Sequence, residues 1–374
     1  MQYDAIVVGG GIVGCSIALH LAGVGAQVTL FEKTAPAAGA TKNSFAWINA
    51  ATTNNHYRNL RLKSIAGWHQ LDQQLGLGII WGGALEWQPP GGAADTLRDN
   101  IIRMQGSNYP FKEIDAEQFL NIAPELIAGD IGTAAFSSID GHLNPVEVTK
   151  KLLQRAQALG VEVKMPCSID ALIMSGDQLR GVQSNLGEFE LDRLVIATGI
   201  NTPTLTSEAG FTPKMLHDPG ILVHTSAVKF STNKVVYAPG VHFKQFANGQ
   251  IVGSDSAGPP HSAAHQQIRQ QRMAFPSKEI EIMHSKRILK VMEEYFPVAK
   301  QATPLRLTLG YRPMPADRYP IVGFLPSSSS VYVAVMHSGV TLAPAMGQMV
   351  SNEIMQDSRE ADLAPYRPER PGLT

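Results

Sequence analysis

Hydrophobic positions near the start of the chain form two short strand-like runs separated by a helical stretch. Residues 5–8 are apolar and β-branched, residues 12–21 have the composition of a buried helix, and residues 27–32 form a second strand-like run. Uninterrupted apolar runs of this length are typical of parallel strands that are covered on both faces. The pattern predicts a strand, a tight turn, a helix and a parallel strand.

Three later helices are indicated by the spacing of apolar residues and by end signals. Residues 57–75 and 278–295 have helical periodicity, and a third helix starts at Asn144-Pro145 and ends at Gly160. Asn is a preferred N-cap, Pro suits the first helical turn, and Gly suits the position after the last. These residues therefore mark the bounds of the third helix.

Short strands fill much of the remaining chain. Those after residue 160 end in the buried run 194–197, which is followed by Gly199, and two more strand-rich stretches cover residues 221–230 and 235–253. A buried run such as 194–197 is expected to rejoin the first sheet, which would bring Gly199 close to the edge of that sheet.

The order of the elements predicts two interleaved domains in an α/β chain of 374 residues. A Rossmann-like cofactor domain would take residues 1–80, 141–215 and 305–374. A substrate domain with a mixed sheet would take residues 81–140 and 216–304.

Charge and cysteine content exclude several classes of function. The net charge of −1 and the lack of like-charged runs argue against nucleic acid as a partner. Two cysteines, Cys15 and Cys167, cannot form a metal cluster, and they suggest reduced thiols and a cytoplasmic location. We expect no metal site.

One segment, residues 331–350, is about as long as a membrane span. It contains His337, Ser338, two glycines and Pro344, which favour a strand, a turn and a helix instead. We therefore expect no membrane span.

The first turn carries a nucleotide-binding pattern. Gly9, Gly11 and Gly14 match G-x-G-x-x-G between the first strand and the first helix, and Glu32 ends the next strand. The glycines permit a tight turn and the approach of a diphosphate to the helix N-terminus, and an acid in this place accepts hydrogen bonds from ribose hydroxyls. FAD and NAD both suit this pattern.

A proline-rich loop, residues 309–326, contains Arg312 in a conformationally restricted stretch. A guanidinium is a planar donor that suits a carboxylate, so Arg312 is a candidate anchor for an acidic group. The alternatives are a structural ion pair with Asp317 or a cap for strand ends.

Four stretches together resemble the D-amino acid oxidase family of FAD-dependent oxidoreductases, which includes glycine oxidase and monomeric sarcosine oxidase. They are YDAIVVGGGIVG with LFEK, LVIATG, GYRPMPADRYPIVG and HSGVTLAPAMGQMVSNEI. The resemblance extends over the length of the chain and implies FAD as the cofactor. It assigns cofactor contacts to Gly9, Gly11, Gly14, Glu32, Ala40, Thr41, Asn43, Ser44, Val163, Gly199, Gly339, Val340 and Thr341.

The resemblance also assigns Arg312 to the substrate carboxylate. Glycine oxidase and D-amino acid oxidase have a second arginine where this chain has His337 or Met336. His337 either replaces it as a hydrogen-bond donor or tunes the site near neutral pH. A histidine held by backbone is the alternative. Sarcosine oxidase binds its flavin through a cysteine near the position of Gly310, and this chain has no cysteine after Cys167. FAD is therefore expected to be non-covalent.

Lys244 aligns loosely with a lysine near the flavin that, in the sarcosine oxidase branch of the family, assists the reaction with oxygen. A solvated lysine is the alternative. His242 and Gln245 on the same predicted strand are candidates for lining the pocket.

The resemblance implies oxidation of an amino acid or secondary amino acid at its carbon–nitrogen bond, with hydride transfer to flavin and hydrolysis of the imine to an oxo acid. Oxygen or another acceptor would take the electrons. Oxidation of a 2-hydroxy acid and a flavin-containing subunit of a larger complex are the alternatives, and a homo-oligomer is left open.

Overall fold

The computed structural model describes residues 4–176, 178–217, 219–255, 277–356 and 358–374. Its α-helices are α1 (Ile12–Gly23), α2 (Asn55–Leu75), α3 (Gly92–Met104), α4 (Ala116–Ile122), α5 (Pro145–Ala158), α6 (Thr202–Thr206), α7 (Lys278–Tyr295) and α8 (Gly339–Gln356). Short 3₁₀ turns cover Gly199–Asn201, Ser207–Ala209, Pro297–Gln301 and Ala361–Tyr366.

The strands, in chain order, are β1 (Asp4–Val8), β2 (Gln27–Phe31), β3 (Trp47–Ile48), β4 (Ala84–Gln88), β5 (Phe111–Ile114), β6 (Thr133–Ser137), β7 (Gly141–His142), β8 (Glu162–Lys164), β9 (Ile169–Ser175), β10 (Gln178–Ser184), β11 (Gly187–Glu190), β12 (Arg193–Ile196), β13 (Met215–Leu216), β14 (Pro219–Ala227), β15 (Val235–Ala238), β16 (Val241–Gln245), β17 (Gln250–Asp255), β18 (Pro304–Tyr311), β19 (Met314–Pro315), β20 (Ile321–Leu325) and β21 (Ser328–Val335).

A six-stranded sheet has the order β20-β21-β12-β1-β2-β8. All its neighbours are parallel except the antiparallel pair β20 and β21. Strand β12 lies beside β1, as expected for the run that rejoins the first sheet. The predicted strand, turn, helix and parallel strand at the start of the chain are confirmed.

Helices α1 and α8 pack closely beside this sheet. The hydroxyl of Ser16 on α1 donates to the carbonyl of Ala343 on α8 at 2.7 Å. A Cβ on Gly347 of α8 would lie 2.3 Å from Nδ1 of His20 on α1. Glycine is therefore needed at this contact, which fixes the position of the N-terminus of α8.

The first turn of α8 is also held by α2. Pro344 has no N–H, so it leaves the carbonyl of Val340 without its usual helical partner. The indole N–H of Trp68 on α2 donates to that carbonyl at 2.9 Å. A Cβ on Gly67 would lie 2.7 Å from Cβ of Pro344, so α2 approaches the proline directly.

An eight-stranded sheet has the order β18-β14-β17-β16-β15-β4-β6-β5. One face packs against α4 and α7 in an apolar cluster, in which Leu85, Trp87 and Phe243 meet Ile288 and Met292. Side chains alternate between the faces of a strand, so the neighbours of Leu85, Trp87 and Phe243 point to the opposite side.

The chain passes between the two large sheets more than once. Residues 84–137, 219–255 and 304–311 contribute strands to the eight-stranded sheet. The six-stranded sheet consists of β1, β2, β8, β12, β20 and β21, and the other strands form smaller sheets. This mixed α/β architecture confirms the predicted fold class. The boundaries proposed for the two domains remain predictions.

Residues 331–350 form the end of β21, a turn and most of α8, as expected. Among the helices in the described part of the chain, none has both the length and the apolar character that a membrane span requires.

Candidate active site

Three glycines form the turn from β1 into α1. Gly9 has a φ of +115°, and a Cβ on it would lie 2.5 Å from the carbonyl oxygen of Ala197. A Cβ on Gly14 would lie 2.0 Å from the carbonyl oxygen of Gly9, while Gly11 faces the hydroxyl of Thr41. The turn therefore has no room for side chains, which leaves its backbone open to a diphosphate.

Glu32 lies at the end of β2, next to this turn. Its Oε2 accepts from the backbone N–H of Gly10 at 2.8 Å, and its Oε1 accepts from the backbone N–H of Thr34 at 2.8 Å. Each carboxylate oxygen has further lone pairs. The carboxylate is fixed at the sheet edge and can still accept a ribose hydroxyl.

The small polar turn that contains Ala40 and Thr41 crosses the start of α1. The hydroxyl of Thr41 accepts from the backbone N–H of Ile12 at 3.1 Å. Further along, a Cβ on Gly310 of β18 would lie 2.6 Å from Cβ of Asn43. The turn thus runs from the glycine motif toward the end of β18.

Ser44 continues this turn, and its hydroxyl accepts from the backbone N–H of Ala46 at 3.0 Å. Val163 lies on the edge strand β8, paired with Leu30 of β2. Gly199, with a φ of +60°, follows β12, and a Cβ on it would lie 3.8 Å from Cβ of Pro313. Gly199 therefore lies close to the arginine loop.

The N-terminus of α8 meets α1 and β3. A Cβ on Gly339 would lie 3.0 Å from Cγ2 of Val13 on α1. The hydroxyl of Thr341 donates to the carbonyl of Trp47 at 3.1 Å and accepts from the backbone N–H of Asn49 at 3.4 Å. These contacts fix the helix start beside the polar turn.

The residues assigned to the cofactor, apart from the edge position Val163, thus lie around the carboxyl ends of β1, β2 and β12. In the described ranges, no residue accepts a hydrogen bond from the backbone N–H of Gly11 or Val13. Free N–H groups at a helix start, with the positive end of the helix dipole, favour an anionic ligand. The arrangement fits the diphosphate and flavin of FAD.

The loop that carries Arg312 is tied to the rest of the fold. Met314–Pro315 pairs with β13, and the backbone N–H of Ala316 donates to the carbonyl of Lys214 at 2.9 Å. The carboxylate of Asp317 accepts from Nε of Arg370 at 2.7 Å. The alternative that Arg312 pairs with Asp317 is therefore wrong.

Arg312 instead faces the eight-stranded sheet. Its Nε would lie 3.6 Å from a Cβ on Gly220 of β14. Burial and the charge of Arg312 together lower the pKa of His242 to about 3. The same charge opposes the rise in the pKa of Tyr237, which burial and Glu86 bring to about 12. Within the described residues, Arg312 forms no ion pair.

His337 is reached by solvent but is surrounded on most sides by protein. Loss of water and the charges of Arg312, Arg61 and Arg318 lower its pKa to about 3. The ring makes no hydrogen bond with any residue in the described ranges, so the backbone-held alternative is wrong. It presents a neutral imidazole beside Arg312.

Arg61 on α2 is a cation that the sequence interpretation missed. Its Nη2 donates to the hydroxyl of Ser338 at 2.6 Å, and its Nη1 donates to Oδ1 of Asn49 at 3.1 Å. Arg61 therefore places a guanidinium beside His337. The residues around Arg61 in the sequence do not indicate this role, because the contact joins Arg61 to Ser338, 277 positions away.

One row of polar side chains crosses the face of the eight-stranded sheet that is opposite α4 and α7, which we call the inner face. Ser254 pairs with His242, His242 with Tyr237, and Tyr237 with Glu86 across four adjacent strands. The rings of Tyr237 and His242 are stacked with centroids 4.6 Å apart. Only His242 of this row was a candidate from the sequence.

Two aromatic residues from the other side cover the row. The ring of Phe45 meets His242 edge-on with centroids 4.5 Å apart, and Trp47 lies over Tyr237 with centroids 5.2 Å apart. The indole N–H of Trp47 donates to the carboxylate of Asp140 at 2.8 Å. This hydrogen bond therefore fixes the position of the Trp47 ring.

Asp140 is fully buried and accepts hydrogen bonds from three side chains. Besides Trp47, the hydroxyls of Tyr109 and Ser137 donate to its Oδ1 at 2.9 and 2.6 Å. Burial raises the pKa of Asp140 to about 7. The hydrogen bonds oppose this rise, because they stabilise the carboxylate.

Lys244 is 1% exposed, so the alternative of a solvated lysine is wrong. Its Nζ donates to the carbonyls of Leu143 and Ala46 at 2.9 and 3.2 Å, and burial lowers its pKa well below the usual value. Gln245 does not line a pocket, because its side chain bonds the backbone of a neighbouring turn, including Ser231 N–H at 2.8 Å.

Two other concave regions lie away from these residues. One is bordered by Asp4, Gly25 and Glu162, at the opposite end of the six-stranded sheet from the glycine turn, and the other lies in the C-terminal segment around Arg359 and Arg370. In the described part of the chain, no three His, Cys, Asp or Glu side chains are grouped closely enough to hold a metal ion.

Known proteins resemble this chain along most of its length. A model of the family "FAD dependent oxidoreductase" matches residues 4–353. Glycine oxidase of Bacillus licheniformis is 24% identical over 379 residues, covering 95% of this chain and 93% of that protein.

Two further relatives are much longer than this chain. It is 26% identical to part of 4-methylaminobutanoate oxidase of Paenarthrobacter nicotinovorans over 55% of its own length, but spans only 25% of that protein. It is 25% identical to rat dimethylglycine dehydrogenase and spans 45% of it, with 99% of this chain covered.

Solved structures share the fold. L-proline dehydrogenase from P. horikoshii superposes with a TM-score of 0.85 at 23% identity, covering 99% of this chain and 97% of that one. Glycine oxidase from Geobacillus kaustophilus gives a TM-score of 0.85 at 21% identity, with 99% of both chains covered.

Proposed function

The chain belongs to the family of FAD-dependent oxidoreductases, and on that premise we propose that it oxidises the carbon–nitrogen bond of an amino acid or secondary amino acid. The relatives named above are oxidases or dehydrogenases of amino acids and N-methylated amines. The observation that carries the proposal is the position of Arg312, whose guanidinium faces the inner sheet face without an ion-pair partner among the described residues.

Arg312 would bind the substrate carboxylate through two parallel hydrogen bonds. His337 and His242, whose rings stay neutral, would complete this end of the pocket without adding charge. Arg61, held by Ser338, would add positive potential where relatives have a second arginine. These groups would fix the substrate in one orientation.

The cofactor contacts proposed from the sequence suit the geometry of the glycine turn, Glu32 and the start of α8. These residues would hold FAD, and the chemistry that it would supply there is acceptance of a hydride from the substrate carbon. Phe45 and Trp47 would exclude water from the reacting bond. The resulting imine would hydrolyse to an oxo acid and ammonia or an amine.

Lys244 would act as a positioning residue, because its Nζ donates to the carbonyls of Ala46 and Leu143. Ala46 lies between Phe45 and Trp47, so Lys244 would fix the turn that carries both rings. Both cysteines are buried thiols. Two buried thiols are consistent with FAD that is bound non-covalently. They are also consistent with a cytoplasmic location, and both points are part of the proposal.

An anaerobic screen of the FAD-loaded protein tests this function. Each amino acid, N-methyl amino acid or cyclic secondary amino acid is paired with the 2-hydroxy acid of the same carbon skeleton, and loss of the oxidised-flavin absorbance is measured. We expect reduction by the amine of a pair and not by the hydroxy acid. Reduction by hydroxy acids alone would contradict the proposal.

The same reactions repeated in air identify the electron acceptor. Peroxide formed in step with substrate loss would indicate an oxidase, and no peroxide would indicate a dehydrogenase with another acceptor. If no compound reduces the flavin of a stable, FAD-loaded protein, the enzymatic proposal is wrong.

A further inference from the structure

Glu86 is an acidic side chain on the inner face of the eight-stranded sheet. Its neighbours Leu85 and Trp87 are fully buried in the apolar cluster on the other face. Alternation along β4 therefore turns Glu86 toward the face that holds Tyr237 and His242. Its backbone partner across the strand pair is Tyr237.

The carboxylate of Glu86 has no hydrogen-bond or ion-pair partner in the described part of the chain. No described residue donates a hydrogen bond to it or forms an ion pair with it. Burial alone raises its pKa to about 7. An acid kept in a partly dehydrated place without a donor or cation lacks the compensation that buried carboxylates usually have.

Glu86 and Arg312 lie at opposite ends of the polar row. Both charges act on the hydroxyl of Tyr237, with opposite effects on its pKa. Arg312 lies beside Gly220 of β14, and four strand steps, in the order β14-β17-β16-β15-β4, lead from there to Glu86. The two charges are therefore separated and do not form a pair.

The register gives a lower limit for this separation, because His242 lies between Glu86 and Arg312 along the row. Glu86 and His242 lie on strands two steps apart, which corresponds to about 10 Å across the sheet. In an α-amino acid, only one carbon atom separates the carboxylate from the amine. A single α-amino acid head group is too short to reach both ends of the row.

We propose that Glu86 binds a second, cationic group of the substrate, distal to the oxidised carbon–nitrogen bond, so that the preferred substrates are basic amino acids. This inference rests on the proposed function. The carboxylate would bind Arg312, the methylene chain would lie along the stacked rings of Tyr237 and His242, and the distal cation would pair with Glu86.

A binding experiment tests Glu86 without any oxidation step. The FAD-loaded protein is titrated with 6-aminohexanoate and with hexanoate, which differ only in the distal ammonium, and the change in flavin absorbance gives both dissociation constants. We expect 6-aminohexanoate to bind about 10- to 100-fold more tightly. Equal affinities would overturn the inference.

The variant Glu86→Gln keeps the size of the side chain and removes its charge. We expect it to abolish the preference for 6-aminohexanoate while FAD content and melting temperature are retained. Glu113→Gln is the matched control, because Glu113 lies in the same register row but is exposed on β5. If Glu86→Gln keeps the preference, or if Glu113→Gln abolishes it equally, the inference is wrong.

Turnover separates this inference from the proposed function. We expect kcat/KM for lysine to exceed that for norleucine, and the ratio to fall at least about tenfold in Glu86→Gln. An equal loss for both substrates would assign Glu86 to the α-amine and overturn the inference. If no amino acid reduces the flavin but the ligand preference depends on Glu86, the proposed function fails and the cation site stands.

Discussion

The six-stranded and eight-stranded sheets use different parts of the chain for chemistry. Around the six-stranded sheet, the candidate cofactor site consists largely of backbone, at glycines and at the starts of α1 and α8. On the eight-stranded sheet, the candidate substrate wall consists of side chains, which cross four strands from Ser254 to Glu86. One site needs side chains to be absent, and the other depends on their identity.

This difference predicts how each site responds to amino-acid substitution. A backbone site is damaged by any added atom, because a Cβ would collide with main chain that cannot move away. A side-chain site accepts substitutions that preserve packing and changes its ligand instead. The largest effects are therefore expected at the glycine turn and smaller, more selective ones on the polar row.

Gly14→Ala should break the backbone site. Its Cβ would lie 2.0 Å from the carbonyl of Gly9, so α1 and β1 could not keep their approach. We expect loss of most bound FAD, measured as the ratio of flavin to protein absorbance after purification. Gly23→Ala is the control, since no atom lies within 4 Å of a Cβ at that position. Normal FAD content in Gly14→Ala would contradict the close contact.

Arg312→Ala should damage the side-chain site and leave the backbone site intact. We expect FAD content to be retained and kcat/KM for carboxylate-bearing amines to fall about 100-fold or more, mainly through KM. Arg312→Lys should recover part of this loss, because it restores charge without the planar fork. Arg306→Ala, at an exposed position on β18, the strand that precedes Arg312, is the control. Unchanged kinetics in Arg312→Ala would remove Arg312 from the site.

Asp140→Ala tests the hydrogen bonds that fix Trp47, one of the two aromatic residues that cover the polar row. Trp47, Tyr109 and Ser137 would each lose their acceptor in a buried place, which should cost about 3 kcal/mol or more of unfolding free energy. Denaturant unfolding of the FAD-loaded protein measures this. Asp99→Ala, exposed on α3, should change stability little. A loss as small as that of the control would show that the hydrogen bonds contribute nothing.

The smallest expected effect is the contribution of His242, on the polar row, to the pH dependence of stability. Its pKa is about 3 in the folded protein, chiefly through burial, whereas an unfolded histidine has a pKa near 6.5. As the pH falls below that value, the unfolded chain binds the proton and the folded chain does not. This term should lower the unfolding free energy by about 2 kcal/mol between about pH 7 and about pH 5.

His242→Asn should therefore flatten the pH dependence of stability, measured by denaturant unfolding at both pH values. His56→Asn, at an exposed position on α2, serves as the control. The comparison of each variant with the parent protein cancels the other titrating groups. A slope in His242→Asn equal to that of the parent would show that His242 is protonated as readily in the folded state as in the unfolded state.

Parts of both sites could be predicted from the sequence, for reasons that differ. The glycine turn, Glu32 and the start of α8 lie within short segments whose order is characteristic, so local pattern was sufficient. Arg312 was identifiable because prolines surround it. Arg61, Trp47, Tyr237 and Glu86 were not, since each is an ordinary residue of a helix or strand whose partners come from distant segments.

The sequence by itself determined the opening strand, turn, helix and parallel strand, the glycine turn, the cofactor class and the rigid loop of Arg312. Each depends on local backbone preference or on hydrophobic periodicity, which a linear pattern records. Only the tertiary structure decided that Asp317 pairs with Arg370, that Lys244 is buried and that Glu86 shares a face with Tyr237. Sheet register and packing between distant segments set these contacts, and one chain's pattern does not specify which strands become neighbours.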